Sequence, residues 1–503
     1  MRARLGLAMA AACLLALAGP ASAAAPLDAP VATTSGLVLG DGAGDLHVYR
    51  GVPYAEPPVG PLRWREPQPI RRPAPMIRAH QFSPICPQDP AASRTFGNNP
   101  QRQSEDCLYL NIWTPARSRA DRLPVMVWIY GGGFQFGASS LPVSDGSALA
   151  GKGVVVVTFN YRVGALGFLA HPALTAESPH HASGNYGLLD QIAALKWVRA
   201  NIAGFGGDPA KVTIFGESAG SDSVDYLMAS PLAAGLFRGA IGESTSVMDS
   251  SLGIAGRRTL ADAEAQGTAL AATLKAPSLE ALRASSVADL VKAGGAFWPI
   301  EKDGYVLPDG VYETFAKGRQ NKVRLLVGSN ANEVATLPMV WVKPQTDQEK
   351  AAYDGLYAGP GDKQLTNDTV AWQMRVWAAL HTRTSGQPAF LYWFDHSWPG
   401  ADGKPDPRGA FHASEIPYVF GNLDTAKLPW TDADRRLSEL MSSYWVNFAK
   451  AGDPNGDGLP PWPAYQAQGE PVMELSDQPH ARPIPRQGAM EFIEAYFARR
   501  RAP

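Results

Sequence analysis

Gly216-Glu217-Ser218-Ala219-Gly220 sets a serine between two glycines, where the apolar run 212–215 meets a segment, 221–228, able to form a helix. A strand that turns sharply into a helix through Gly-x-Ser-x-Gly holds the serine hydroxyl out from the turn, and the glycines let the two elements pass closely. A hydroxyl displayed in this way suits nucleophilic attack on an acyl carbon. It needs a base to take its proton, a carboxylate to hold that base in the right tautomer, and donors for the oxyanion that forms. The pentapeptide alone is a weak signal, so the rest of the machinery has to be found elsewhere in the chain.

Donors are offered by Tyr130-Gly131-Gly132-Gly133-Phe134, which closes the apolar run 125–129. Three glycines at the carboxyl end of a buried strand let bare amides converge on one point, whereas a plain turn needs only one. With a strand-to-helix nucleophile the usual chain order is serine, acid, histidine, which leaves His381, His396, His412 and His480 as bases. His480 lies in a Pro-rich tail. His412, in a Gly- and Pro-rich loop, and His396, at the end of a strand, are not separated by their local chemistry. For the acid, Glu333 follows the buried run 323–327 and the turn 328–332, where a sheet's carboxyl edge would deliver it; Asp303 and Asp309 sit in looser Gly/Pro contexts.

These residues need a scaffold. The run 125–129 is continuously apolar without alternation, as in a strand buried on both faces of a parallel sheet; 154–159 reads as a second buried strand, and 239–243, 323–327 and 389–394 as further strands. Leu188, Ile192, Leu195, Val198 and Ile202 recur at helical spacing over 187–202, and further helices are expected at 260–274 and 435–450. Alternating strands and helices, with the reactive residues in the loops after strands, define an α/β enzyme with a large, mostly parallel central sheet. The Pro- and Gly-dense stretch 46–69 reads as turns and edge strands. No internal repeat is visible.

The chain has 503 residues and a formal net charge of −2, so nothing marks a nucleic-acid face or an acidic tail. Arg2 and Arg4 precede an apolar stretch, 5–17, and Ala21-Ser22-Ala23 offers small residues for cleavage. Residues 1–23 read as a secretory signal peptide, too short for a membrane span. Residues 24–35, rich in Ala and Pro, are expected to be disordered, leaving 36–498 as one catalytic domain. With Cys13 removed in the leader, Cys86 and Cys107 remain, and in an oxidising compartment such a pair is most simply a disulfide, contributing about 3 kcal/mol. The expected location is secreted or periplasmic.

From about Gly36 to the last helix the chain resembles the type-B carboxylesterase and cholinesterase family of the α/β-hydrolase fold. The resemblance is carried by residues 51–62, Ser104-Glu105-Asp106-Cys107-Leu108-Tyr109-Leu110-Asn111, 128–134, 160–169, 184–190, 205–220 and Gly409-Ala410-Phe411-His412-Ala413-Ser414-Glu415, with Tyr418-Val419-Phe420-Gly421. It implies Ser218 as nucleophile, Glu333 as acid and His412 as base. It also implies an oxyanion hole from the amides of Gly132, Gly133 and Ala219, a Cys86–Cys107 disulfide, and Glu217 and Ser244 as residues supporting the triad. The implied reaction is ester hydrolysis by acyl transfer, with loop and helical insertions forming a substrate gorge. The partners are a small ester and water, with no metal or organic cofactor, no nucleic acid and no membrane span.

The chain departs from the family's usual residues at Ser221 and Asp222 (usually Gly and Ala), at Thr245 (usually Gly), and at Asn332 and Val334 (usually Asp and Gly). None of these removes a catalytic group. Asp222 and Asp225 favour the positive end of the helix that starts there, and a role in substrate choice is the alternative. A non-catalytic binding protein on the same fold is a rival reading, although it would have no need of serine, acid, histidine and glycine triplet together. Of the weaker signals, the run Asp453-Pro454-Asn455-Gly456-Asp457-Gly458 lacks the twelfth-position Glu of a calcium loop and reads as a turn, and His180-His181 as a solvated loop. Asn367-Asp368-Thr369 is a sequon for glycosylation in a host that glycosylates.

Overall fold

A computed structural model describes residues 29–90, 101–248, 258–293, 295–336, 342–359 and 361–501. The leader expected at 1–23 lies outside these residues. Eleven strands form one twisted sheet. From edge to edge they are His480–Pro483, Pro471–Leu475, Ala389–Phe394, Arg324–Asn330, Gly239–Glu243, Gly207–Glu217, Leu123–Ile129, Val155–Phe159, Tyr109–Thr114, Leu46–Pro53 and Asp41–Ala43. The run from Pro471–Leu475 to Val155–Phe159 is parallel throughout, and the strands beyond it at both edges pair antiparallel.

The parallel strands are buried on both faces, as their continuous apolar text requires: residues 155–157 and 159 are valines and a phenylalanine with no exposed surface. Each such side chain contributes about 1.5–3 kcal/mol by leaving water. Helices cover both faces. Ala219–Ala229 packs on the strands Gly207–Glu217 and Gly239–Glu243, and Asp432–Ala451 packs on the strand Leu123–Ile129. The latter helix opens with a Thr431/Asp434 capping box and stops at Gly452, whose φ of 73° ends it in the left-handed conformation.

Several elements differ from expectation. The strand Val31–Thr33 lies inside the segment 24–35 read as disordered: it pairs with Gly36–Leu39, Val31 is fully buried, and Asn201 Oδ1 accepts the Thr34 amide at 2.8 Å. A few apolar residues paired onto a formed edge suffice to order a stretch that composition alone marks as loose. The helix Gly361–Ser385 runs for 25 residues without being marked in the sequence, because buried polar side chains hide its period; Thr366 and Thr369 bond back to Asp362 and Leu365 carbonyls, and Asp368 pairs with Arg486. The Pro-rich tail that holds His480 also continues into a helix, Gln487–Arg501, docked on Gly361–Ser385 with Trp372 stacked on Phe497. No described helix is long and apolar enough to cross a membrane.

Candidate active site

Register brings the reactive residues to one edge. Ile129 and Gly242 both pair with Gly216, and Glu243 pairs with both Glu217 and Gly328, so the chain leaves four neighbouring strands side by side at their carboxyl ends. Ligand sites of open parallel sheets form at this edge.

Ser218 sits at φ 55° and ψ −126°, between the strand Gly207–Glu217 and the helix Ala219–Ala229. Few non-glycine residues adopt this conformation, and it is maintained only where the surroundings over-determine it. Here they do. The Ser218 amide donates to Glu243 O at 2.9 Å, and its carbonyl accepts the Asp222 amide at 2.9 Å. A Cβ on Gly216 would come within 2.6 Å of Gly220 and Ile129 backbone atoms, and one on Gly220 within 2.0 Å of Ile129 O. The flanking glycines are therefore required by contact as well as by the turn.

The glycine run lies against this elbow. A Cβ on Gly131 would meet Ser218 Cβ at 3.0 Å and Glu217 O at 2.6 Å. Gly132 and Gly133 take φ of 106° and 59°, and among the described residues neither amide donates to a backbone carbonyl. Ala219 begins its helix, so its amide has no intrahelical acceptor. The loop is pinned from the side by Gln88, which exchanges two hydrogen bonds with Gly137, both 2.9 Å. Gln88 follows Cys86, which is disulfide-bonded to Cys107 across 21 residues of sequence. Residues 91–100 of the loop so closed lie outside the described residues.

Glu333 opens a single turn after the strand Arg324–Asn330 and has no exposed surface. One carboxylate oxygen accepts the Asn330 amide at 2.7 Å and the other lies 2.6 Å from His412 Nδ1. The loop bearing His412 is held to this turn by Asn332 N donating to Ala410 O at 2.9 Å and by Asn330 Nδ2 donating to Phe411 O at 2.9 Å. The other ring nitrogen, Nε2, lies 3.2 Å from Glu217 Oε1 without hydrogen-bond geometry. Among the described residues Ser218 Oγ makes no hydrogen bond to His412, a contact that in unliganded sites often forms only with substrate.

Other candidates go elsewhere. Asp303 accepts Asn185 Nδ2 and the amides of Tyr305 and Leu307, and Asp309 pairs with Arg319. His381 is buried with Nε2 2.6 Å from Val323 O, and burial pushes it down to about 4. His396 lies between Asp434 and Asp477, 2.7 Å from each, and His480 is exposed on the edge strand. His180 stacks on Tyr305 with centroids 3.6 Å apart. Asn367 is buried within its helix, where its Oδ1 accepts the Val334 amide at 2.9 Å; the sequon reading is therefore replaced by a bond that supports the turn carrying Glu333.

A layer of buried acids surrounds His412. Ser244, at φ 72°, donates to Glu415 Oε1 at 3.1 Å, and Asn330 Nδ2 donates to Glu415 Oε2. Trp445 Nε1 donates to Glu243 Oε1 at 2.8 Å. Burial pushes Glu217 up to about 8, helped by Glu415 and Glu333 and opposed by His412. Burial likewise pushes Glu415 up to about 7, with the charge of Glu333 adding to it. For His412 burial pulls downward, but the charges of Glu217, Glu333 and Glu415 outweigh it and raise its affinity for a proton. A proton taken from Ser218 would thus be stabilised on this imidazole. Glu243, Glu415, Asn330 and Trp445 were not singled out as site residues, and only Glu415, inside the segment that carries His412, had a signal that could have found it.

Comparison with known proteins gives a consistent answer. The Carboxylesterase family profile matches residues 28–356 and 358–493. The fumonisin B1 esterase of Sphingopyxis macrogoltabida is 39% identical over 487 residues, covering 89% of this chain and 86% of that protein. The para-nitrobenzyl esterase of Bacillus subtilis is 37% identical, covering 89% and 95%. A solved structure of a PNB esterase superposes with a TM-score of 0.79 at 34% identity, covering 92% of this chain and 99% of that one.

Proposed function

We propose, from the premise that this chain belongs to the carboxylesterase family and is a carboxylic ester hydrolase, that it works through a Ser218-His412-Glu333 triad and a covalent acyl-enzyme. The observation that carries this reading is the Glu333–His412 contact of 2.6 Å beside the strained Ser218 elbow. A carboxylate on Nδ1 fixes the tautomer that leaves Nε2 as the acceptor facing the serine.

In the first step Ser218 Oγ forms a bond to the ester carbonyl carbon while His412 Nε2 takes the hydroxyl proton. The carbonyl oxygen gains charge and is met by the amides of Gly132, Gly133 and Ala219. The C–O bond to the alcohol breaks, and His412 gives its proton to the departing oxygen. Water then repeats the sequence: His412 takes its proton, its oxygen attacks the acyl carbon, and Ser218 recovers its proton as the acid leaves. The chemistry calls for no metal or organic cofactor.

The substrate class is a small to medium, largely apolar carboxylic ester. Relatives named as a para-nitrobenzyl esterase and a fumonisin B1 esterase support ester chemistry. The setting is secreted or periplasmic after cleavage near Ala23, a reading supported by the Cys86–Cys107 disulfide.

Intact mass before and after a fluorophosphonate tests the assignment. One adduct on the parent and none on Ser218→Ala is the expected result. A folded parent that takes no adduct and hydrolyses no p-nitrophenyl ester would overturn it.

A further inference from the structure

The departures at Ser221, Asp222 and Thr245 lie apart in the sequence, and the structure gathers them, with Asp225, into one contact set. Thr245 Oγ1 donates to Ser218 O at 2.7 Å, so the nucleophile's carbonyl receives a hydroxyl as well as the Asp222 amide. Ser221 Oγ donates to Thr245 O. Asp225 Oδ2 accepts Ser246 Oγ at 2.7 Å and the Val247 amide at 3.2 Å, and Ser246 Oγ also accepts the Met248 amide at 3.1 Å. Burial pushes the neighbouring Asp222 carboxyl up to about 7. Ser221, Ser246 and Asp225 are at most 2% exposed, and Asp222 and Thr245 are 6% exposed, so water does not compete for these bonds.

A charge at the positive end of the helix does not account for this arrangement. Asp225 lies beyond the first helical turn, where the dipole effect has faded, and both of its hydrogen bonds go to the loop after the strand Gly239–Glu243. Glycine at 221 and 245 would have no side chain to make the contacts.

We propose that Ser221, Asp225 and Thr245 form a clamp that joins the helix behind the nucleophile to the loop 245–248 and fixes the Ser218 elbow for attack. These are positioning residues, and the proposal rests on Ser218 being the nucleophile. The elbow holds Ser218 in a conformation that non-glycine residues rarely adopt, and Thr245 acts on the peptide group that ends it. The amide that begins it is held by Glu243 O, at 2.9 Å.

The test compares the parent with Thr245→Val, which keeps shape and loses the hydroxyl, and Thr245→Ser, which keeps the hydroxyl. The readouts are the second-order rate of fluorophosphonate labelling, kcat and KM on p-nitrophenyl butyrate, and Tm. Thr245→Val is expected to lower labelling and kcat about tenfold, the scale of one buried hydrogen bond, with KM changed less than about twofold. Thr245→Ser is expected to restore both rates to within about twofold of the parent. Labelling of Thr245→Val at the parent rate, or an equal loss in Val and Ser variants, would sink the clamp. If Thr245→Val does not fold, Ser221→Ala removes the bond to the Thr245 carbonyl without adding bulk, and a fall in labelling of about threefold is expected; a parent rate there counts against the clamp in the same way. A parent that takes no label at all overturns the nucleophile assignment and the clamp together, whereas a labelled parent with an equally labelled Thr245→Val overturns the clamp alone.

Discussion

His412 and His396 occupy loops at the carboxyl edge of the same sheet, and each meets carboxylates, yet the two imidazoles are built for different work. His396 has a carboxylate 2.7 Å from each ring nitrogen, Asp434 on Nε2 and Asp477 on Nδ1. Asp434 is also the capping acid of the helix Asp432–Ala451 and accepts the Tyr418 hydroxyl at 2.7 Å. His396 works as a staple: its contacts tie a strand end, a helix start and an outer hairpin together. His412 hydrogen-bonds through Nδ1 to Glu333, and its Nε2 lies 3.2 Å from Glu217 without a hydrogen bond. The His412 imidazole is set among buried acids, whereas that of His396 reaches an exposed one in Asp477.

The largest expected effect breaks this contrast directly. His412→Gln should lower kcat/KM for a p-nitrophenyl ester by about 10⁴-fold or more, while His396→Gln stays within a few-fold of the parent. Equal losses in the two variants would erase the distinction. Glu333→Gln should cost about 10³–10⁴-fold in kcat, since an amide at this position no longer selects the Nδ1–H tautomer; a loss under tenfold would show that the His412 ring is oriented by something else.

A smaller effect sharpens the other half of the comparison. His396→Gln should lower unfolding stability by about 1–3 kcal/mol in urea titration, because it removes a hydrogen-bond partner of the buried Asp434. An unchanged midpoint would deny it the role of staple. The smallest effect concerns pH. Of the neighbouring charges that hold His412's proton affinity up, Glu217 ranks first, so Glu217→Gln should lower it. The base is then free at lower pH, and the acid limb of the kcat/KM profile should move downward; a limb that stays or moves upward would count against that charge.

Local text made much of the scaffold legible. The runs 125–129, 239–243 and 389–394 appear as strands at Leu123–Ile129, Gly239–Glu243 and Ala389–Phe394, and 187–202 appears as the helix Tyr186–Asn201. The strand expected at 323–327 extends to Asn330, because Ser329 and Asn330 pair with Trp393 and Phe394 despite their polarity. What stayed illegible was polar text that becomes buried. Asn367, Asp368 and Gln373 sit inside a helix and carry no apolar period, and Glu243 and Glu415 are acids with no exposed surface. Their burial depends on partners such as Trp445, Ser244 and Asn330, which adjoin them only once the sheet has formed.

By itself the sequence determined what short-range stereochemistry encodes: an elbow at Ser218 that needs Gly216 and Gly220, a glycine run able to turn amides outward, and apolar runs committed to a buried parallel sheet. These follow from backbone conformation over a few residues and from the period of apolar side chains. Tertiary structure alone decided how the residues pair. Which histidine meets Glu333, 79 residues away, and why Thr245 reaches the carbonyl of Ser218, 27 residues away, depend on sheet register and on loops laid side by side. Such contacts join segments whose separate sequences carry no trace of one another, because hydrogen bonds between distant groups are specified by position in space.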